Sequence, residues 1–158
     1  MGHQLTKQDI ERMEAEIEHR KLVERPKLIE AVKDARAQGD LSENFEYYAA
    51  KREKNRNESR IRYLDRMIRT ADIIEDSSAE NEAGIGDIVE IYFEDERETE
   101  EVCLVTTMSA DSLNQMVSIE SPIGKAIRGK KEGDRVRVEV DKDTFFYLQI
   151  KKIQKSNK

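Results

Sequence analysis

Between Thr6 and Ala71 the apolar residues fall on one narrow stripe, and that stripe limits what this part of the chain can become. Ile10, Met13 and Ile17 follow the 3-4 spacing of a coiled-coil seam, and Leu28, Ile29, Val32 and Ala35 resume it. A helix with so thin a seam cannot build a globular core alone; it needs a second helix of the same kind. Tyr47, Ala50, Ile61, Leu64, Ile68 and Ala71 supply one, expected from about Ser42 to Ala71. Between the two lies Gly39-Asp40-Leu41-Ser42-Glu43-Asn44-Phe45-Glu46-Tyr47-Tyr48-Ala49-Ala50-Lys51. Gly39 can take φ > 0 and stop the first helix, and Asp40 or Ser42 can cap the second, so a helical hairpin with Asp40 and Glu43 at its end is predicted. At ~1.5 Å per residue an arm of about 30 residues reaches on the order of 45 Å, the length of a probe. Pro26 predicts a kink or short break, because its ring meets the carbonyl of Leu22 and disfavours helical geometry at Arg25. The stretch Lys51 to Arg60 is almost wholly polar, so the register is expected to come from apolar clusters near the base and tip.

The pattern changes after Ala71. Residues 72–86 are acidic and small, without periodicity, and beyond them short β-type runs appear: Ile88 to Phe93, Glu101 to Thr106, Met116 to Ile119, Arg135 to Val140 and Phe145 to Ile150. Arg135 to Val140 alternates strictly, and Asp141-Lys142-Asp143 joins it to the last run as a hairpin. Ser121-Pro122-Ile123-Gly124-Lys125-Ala126-Ile127-Arg128-Gly129 has an N-cap, a proline at the first helical position and a glycine stop, so it predicts a short helix. The expected fold class is α+β: an antiparallel helical hairpin over residues 1–76, a linker over 77–83, and an antiparallel β domain with a short helix over 84–158. Tyr92, Phe93, Phe145, Phe146 and Tyr147 are expected to alternate into its core.

Charge and rare residues exclude several classes of function. Residues 1–78 hold 16 Lys and Arg against 17 Asp and Glu, and residues 79–158 hold 12 against 17, so neither half is basic and unaided DNA binding is not expected. No run approaches the roughly 20 apolar residues that cross a bilayer, and no signal-peptide segment is present, so a cytoplasmic protein without a membrane partner is expected. Cys103, the single cysteine, reads as an apolar filler in Val102-Cys103-Leu104-Val105, and His3 and His19 are too far apart in sequence to suggest a zinc site.

The turn motif at 39–51, Arg25-Pro26 before it, Glu58-x-Arg60-Ile61 after it, and Ser121-Pro122-Ile123-Gly124-Lys125-Ala126-Ile127-x-Gly129-Lys130 together resemble the bacterial transcript-cleavage factors of the GreA/GreB type. The resemblance covers nearly the whole chain, with both signatures in order. It implies an N-terminal antiparallel coiled coil and a C-terminal FKBP-like domain that docks on RNA polymerase. It further implies a hairpin that enters the secondary channel, and stimulation of the polymerase's own cleavage of backtracked RNA, so the factor is not itself an enzyme. Asp40 and Glu43 would be the catalytic acids donated to the polymerase, sharing Mg²⁺ with it while no cofactor is bound by the factor alone. Arg36, Lys51 and Arg52 would meet the 3′ end of the nascent RNA, and Ser121, Pro122 and Ile123 would contact the polymerase. A monomer is expected.

Each of these residues also has a local reading. Asp40 and Glu43 fit a capping box. Arg36, Lys51 and Arg52 fit a solvated face, Tyr47 and Tyr48 fit tip packing better than base-stacking platforms, and Ser121-Pro122 fits a helix start. Two other functions are compatible with the fold: a Gre-like paralogue that occupies the same channel and inhibits, and an FKBP-like prolyl isomerase or chaperone. Phe45 departs from the usual pattern, which has a small residue there.

Overall fold

The computed structural model describes residues 2–38 and 44–156, so Asp40 and Glu43 lie outside the described residues. The chain divides into two compact units. The first holds Lys7–Ala71 with Gly2, and the second holds His3–Thr6 with residues 72–156.

The first unit is the helical hairpin. Helix α1 (Lys7–His19) passes through a π-helical turn (Arg20–Glu24) into α2 (Arg25–Ala37), and α3 (Phe45–Thr70) returns beside them. Pro26 therefore neither breaks nor ends the arm. The widened turn absorbs it: the Arg25 amide bonds back to the Arg20 carbonyl five residues earlier, as suits a segment just ahead of a residue that cannot donate. Met13, Ala35, Tyr47, Ile61, Leu64 and Met67 form the buried seam.

The polar middle of α3 is better fastened than its composition suggests. Asn57, only 3 % exposed, donates to the Arg20 carbonyl at 3.2 Å and accepts from the Arg20 guanidinium at 3.0 Å. Arg25 grips Glu58 through two bonds of 2.8 Å, and Glu16 receives both Arg60 at 2.9 Å and Arg20 at 2.7 Å. A ladder of charged side chains around the π turn thus holds the register where apolar residues are missing. Asn57→Ala removes two bonds between the arms, leaving the Arg20 carbonyl to the Arg25 amide alone and the Arg20 guanidinium without its Asn57 acceptor, and is expected to cost about 1–3 kcal/mol in urea unfolding. Exposed Glu53→Ala, by contrast, should stay within ~0.5 kcal/mol.

The same ladder sets the acid limit of the hairpin. The Arg60 guanidinium bonded to Glu16, and that of Arg25 bonded to Glu58, hold both carboxyls below their ordinary value of 4.5. Groups depressed in the folded state contribute fully above the unfolded pKa and lose that contribution as pH falls through the folded one. The melting temperature followed by helical circular dichroism should therefore vary little from pH 7 to about 5 on their account and decline below ~4.5. Glu58→Gln should shrink that decline.

The second unit is a five-stranded sheet in the order β5-β4-β3-β7-β6, built from β3 (Ile88–Phe93), β4 (Glu98–Val105), β5 (Met116–Ser118), β6 (Arg135–Glu139) and β7 (Phe145–Gln154). A separate parallel pair joins β1 (Gln4–Leu5) to β2 (Asp72–Ile73). The large sheet is antiparallel except at one edge: β5 runs parallel to β4 because two 3₁₀ turns and the left-handed Gln115 (φ 56°) bring the chain back in the same direction. Val89, Ile91, Val102, Leu104, Val136, Val138, Leu148 and Ile150 fill one face, and helix α4 (Pro122–Ile127) adds Ile127 to that core. Asp87, almost fully buried, accepts from the amides of Gly84 and Ser156 and from Lys155 Nζ at 2.7–2.8 Å, tying the approach to β3 to the end of β7.

Two expectations for this unit change. Phe93 and Phe146 do pack on the core, but Tyr92, Phe145 and Tyr147 lie under cations: Lys151 at 5.4 Å, Arg137 at 4.0 Å and Arg135 at 3.8 Å from the respective ring centroids. The Val138↔Phe146 and Val136↔Leu148 register puts Phe145 and Tyr147 on the opposite parity. Arg135 and Gln149 both bond Glu94, which draws its carboxyl down to about 2. Cys103 is half-buried rather than core, since Val102 and Leu104 take the inward positions. Burial and the neighbouring Asp87 charge push its thiol pKa up.

Candidate functional site

Two of the sequence-predicted site residues, Arg36 and Lys51, meet near the turn of the hairpin. Asn44 caps α3: its Oδ1 accepts from the Tyr47 amide at 2.9 Å, while its Nδ2 donates to the Ala35 carbonyl of α2. One side chain thus starts the return helix and links it to the outgoing one. The expectation that Asp40 or Ser42 caps this helix falls on residues outside those described, and the helix beginning at Phe45 has Asn44 in that role.

Behind the cap, Arg36 from α2 and Lys51 from α3 converge on the buried ring of Tyr47. Arg36 Nη2 donates to the Tyr47 hydroxyl at 3.3 Å, its Cζ stands 5.5 Å from the ring centroid, and Lys51 Nζ stands 6.0 Å away. The hydrogen bond from Arg36, with Lys51 nearby, lowers the phenol pKa. Tyr47 is packed, as its local reading expects. Its neighbour Tyr48 meets it edge-on at 5.3 Å and remains 47 % exposed. Arg52 lines an adjoining groove of about 530 Å³ with Tyr48, Lys51, Asn55, Arg56 and Ser59. Spread over residues 1–78 the charge nearly cancels, but it is unevenly divided. Helix α3 carries eight Lys and Arg against four Asp and Glu, whereas α1 carries two against five.

The second predicted site is built on α4. Ser121 Oγ accepts from the Gly124 amide at 3.1 Å and donates to the Ser118 carbonyl at 2.6 Å, and Pro122 takes the first helical position. Gly129, at φ +80°, follows the helix end. Ser121, Pro122 and Ile123 form one wall of a predominantly apolar cleft of about 530 Å³. The opposite walls come from Met116, Val117, Val138, Val140 and Phe146. Sequence reasoning missed these five as site residues. The signal was present in the strict alternation of β6, which commits Val138 and Val140 to the same side. Of the five aromatics expected to alternate into the core, only Phe146 lines the cleft. Among the described residues no cluster of three or more His, Cys, Asp or Glu could hold a metal, and no helix is long and apolar enough to cross a membrane.

Comparison with known proteins covers both units. Residues 3–73 match the family described as transcription elongation factor, N-terminal, and residues 78–155 match transcription elongation factor, GreA/GreB, C-term. The transcription elongation factor GreA of Thermoanaerobacter pseudethanolicus is 43 % identical over 137 residues, 86 % of this chain and 87 % of its own. That of Streptococcus gordonii is 42 % identical over 153 residues, 96 % of this chain and 95 % of its own. Among solved structures, GreA factor homolog 1 of Thermus thermophilus aligns over 98 % of this chain and 100 % of that one, at 27 % identity and a TM-score of 0.45.

Proposed function

Because this chain belongs to the GreA/GreB family of transcription elongation factors, we propose that it works on RNA polymerase in the cytoplasm and performs no chemistry alone. The cleft beside α4 docks on the polymerase, and the hairpin carries Asp40 and Glu43 through the secondary channel to the catalytic centre. There they promote hydrolysis of a backtracked transcript near its 3′ end. The observation that carries this reading is the convergence of Arg36 and Lys51 on Tyr47, just behind residues 39–43. Two cations, one from each arm, flank in sequence the segment that bears the two acids. That suits a strand of phosphates passing the tip.

The acids fit Mg²⁺ by donor type. Two carboxylates three residues apart would offer hard oxygen donors, of the kind and number with which Mg²⁺ is bound when water and other groups supply the rest. When bound, such an ion activates water or stabilises the leaving oxygen. Asp40 and Glu43 hold their carboxylates at the site, Arg36 and Lys51 orient the extruded RNA, and Asn44 keeps both arms of the hairpin in step. Reversible recruitment suits an editing activity that is wanted only when the transcript has slipped backwards.

The test is RNA cleavage in a stalled, backtracked elongation complex with and without the factor. Shortened transcripts that resume growth are the expected result. Occupancy of the channel with slowed synthesis and no shortening would instead mark the inhibitory behaviour known among Gre-like paralogues.

A further inference from the structure

Phe45 is the first residue of α3 and is 85 % exposed. A large apolar ring left this open at a capped helix start is unexplained by the fold. Its backbone is fixed by the Asn44 cap. Tyr48 lies one turn on, on the same helical face, 47 % exposed and propped edge-on against Tyr47. Farther along that face, Lys51, Arg52 and Arg56 line the groove that Tyr48 begins. Aromatic faces followed by a cationic groove are what single-stranded nucleic acid binds, bases stacking on the rings and phosphates following the charges.

Resting on the function proposed above, we propose that Phe45 and Tyr48 form a stacking platform for bases of the extruded RNA 3′ segment, with Lys51, Arg52 and Arg56 following its phosphates. The occupant is single-stranded RNA rather than a protein wall of the channel, because a hydrophobic protein contact gives no reason for the cations that continue the stripe. Stacking also tolerates any base, as a factor acting at many transcript positions requires. Phe45 is then a positioning residue: it holds the RNA while Asp40 and Glu43 serve the chemistry.

The test places 2-aminopurine, whose emission falls on stacking, in the extruded segment of a backtracked complex. The factor is added in the Asp40→Asn, Glu43→Gln background so that the RNA stays intact. Emission should fall severalfold with Phe45 present and hardly at all with Phe45→Leu, which keeps an apolar side chain but no stacking face. Phe45→Trp should restore the fall. In the otherwise unaltered factor, Phe45→Leu should lower cleavage about tenfold at subsaturating concentration, and Phe45→Trp should stay within about twofold. Quenching that survives Phe45→Leu, or none with Phe45 itself, overturns the platform; cleavage that the factor stimulates, and stimulates equally with Leu and with Phe, points to a protein contact and also overturns it. If the analogue is quenched in the Phe45-dependent way but the unaltered factor stimulates no cleavage, the platform stands and the proposed function falls.

Discussion

Replacing Asp40 by Asn and Glu43 by Gln together is expected to leave the factor folded and bound to polymerase while stimulated cleavage falls by orders of magnitude. The two substitutions keep side-chain size and hydrogen-bonding capacity, so a capping role survives them; at most about 1 kcal/mol of stability should be lost. The structure strengthens this separation, because Asn44 already caps α3 and bridges to Ala35 without either acid. What the amides cannot do is supply negative charge to a divalent ion. The loss should therefore appear in the plateau rate at saturating factor, with the half-saturating concentration nearly unchanged, and raised Mg²⁺ should recover part of it. A double variant that cleaves at the original rate would reduce Asp40 and Glu43 to helix-end residues and leave the proposed mechanism without its reactive groups.

The hairpin was legible because its seam repeats: Met13, Ala35, Ile61 and Leu64 are buried where the 3-4 spacing puts them. The short helix was legible because its start and stop signals are local, and Ser121 and Gly129 act within a few residues. The polar ladder was not. Arg20 and Asn57 are 37 positions apart, and nothing in a run of charged residues says which of them face each other. The π turn was hidden for a related reason. Pro26 announces a defect, but whether the helix ends there or widens shows only in the folded arm, where the Arg25 amide reaches back to the Arg20 carbonyl. Three successive aromatics at 145–147 carry no parity of their own, so only the pairing with β6 reveals that Phe146 faces the core and its neighbours face the arginines. The parallel placement of β5 likewise depends on the Gln115 turn rather than on any property of the strand.

At the two candidate sites the division is similar. Ser121, Pro122 and Ile123 could be picked from one motif, but the opposing wall of the cleft comes from three other strands or their ends and becomes visible only when the sheet closes. Arg36 and Lys51 could be named as cations near the turn. Their shared partner Tyr47 could not be deduced, and it changes what their removal means: Arg36→Ala deletes a hydrogen bond and a ring contact as well as a charge.

Ile123→Asp is expected to raise the half-saturating factor concentration for polymerase by about a hundredfold, the scale of a carboxylate desolvated against an apolar surface without a partner, taken as roughly 3 kcal/mol. Ile123 also packs against the core of its own unit, so some loss of folding stability would accompany that substitution. Val140→Asp separates the two effects. Val140 lines the same cleft just past β6 but is half-exposed, so a carboxylate there can stay hydrated in the free factor and the melting temperature should not move. It should still weaken docking, by about tenfold or more, because closure of the interface removes that water. The kinetic signature distinguishes this face from the tip: cleavage at saturating concentration should return to its original plateau in both cleft variants, since Asp40 and Glu43 are untouched. Titration of stalled complexes with each variant provides the measurement. Unchanged half-saturation for Val140→Asp together with Ile123→Asp, both still folded by circular dichroism, would move the docking surface away from α4.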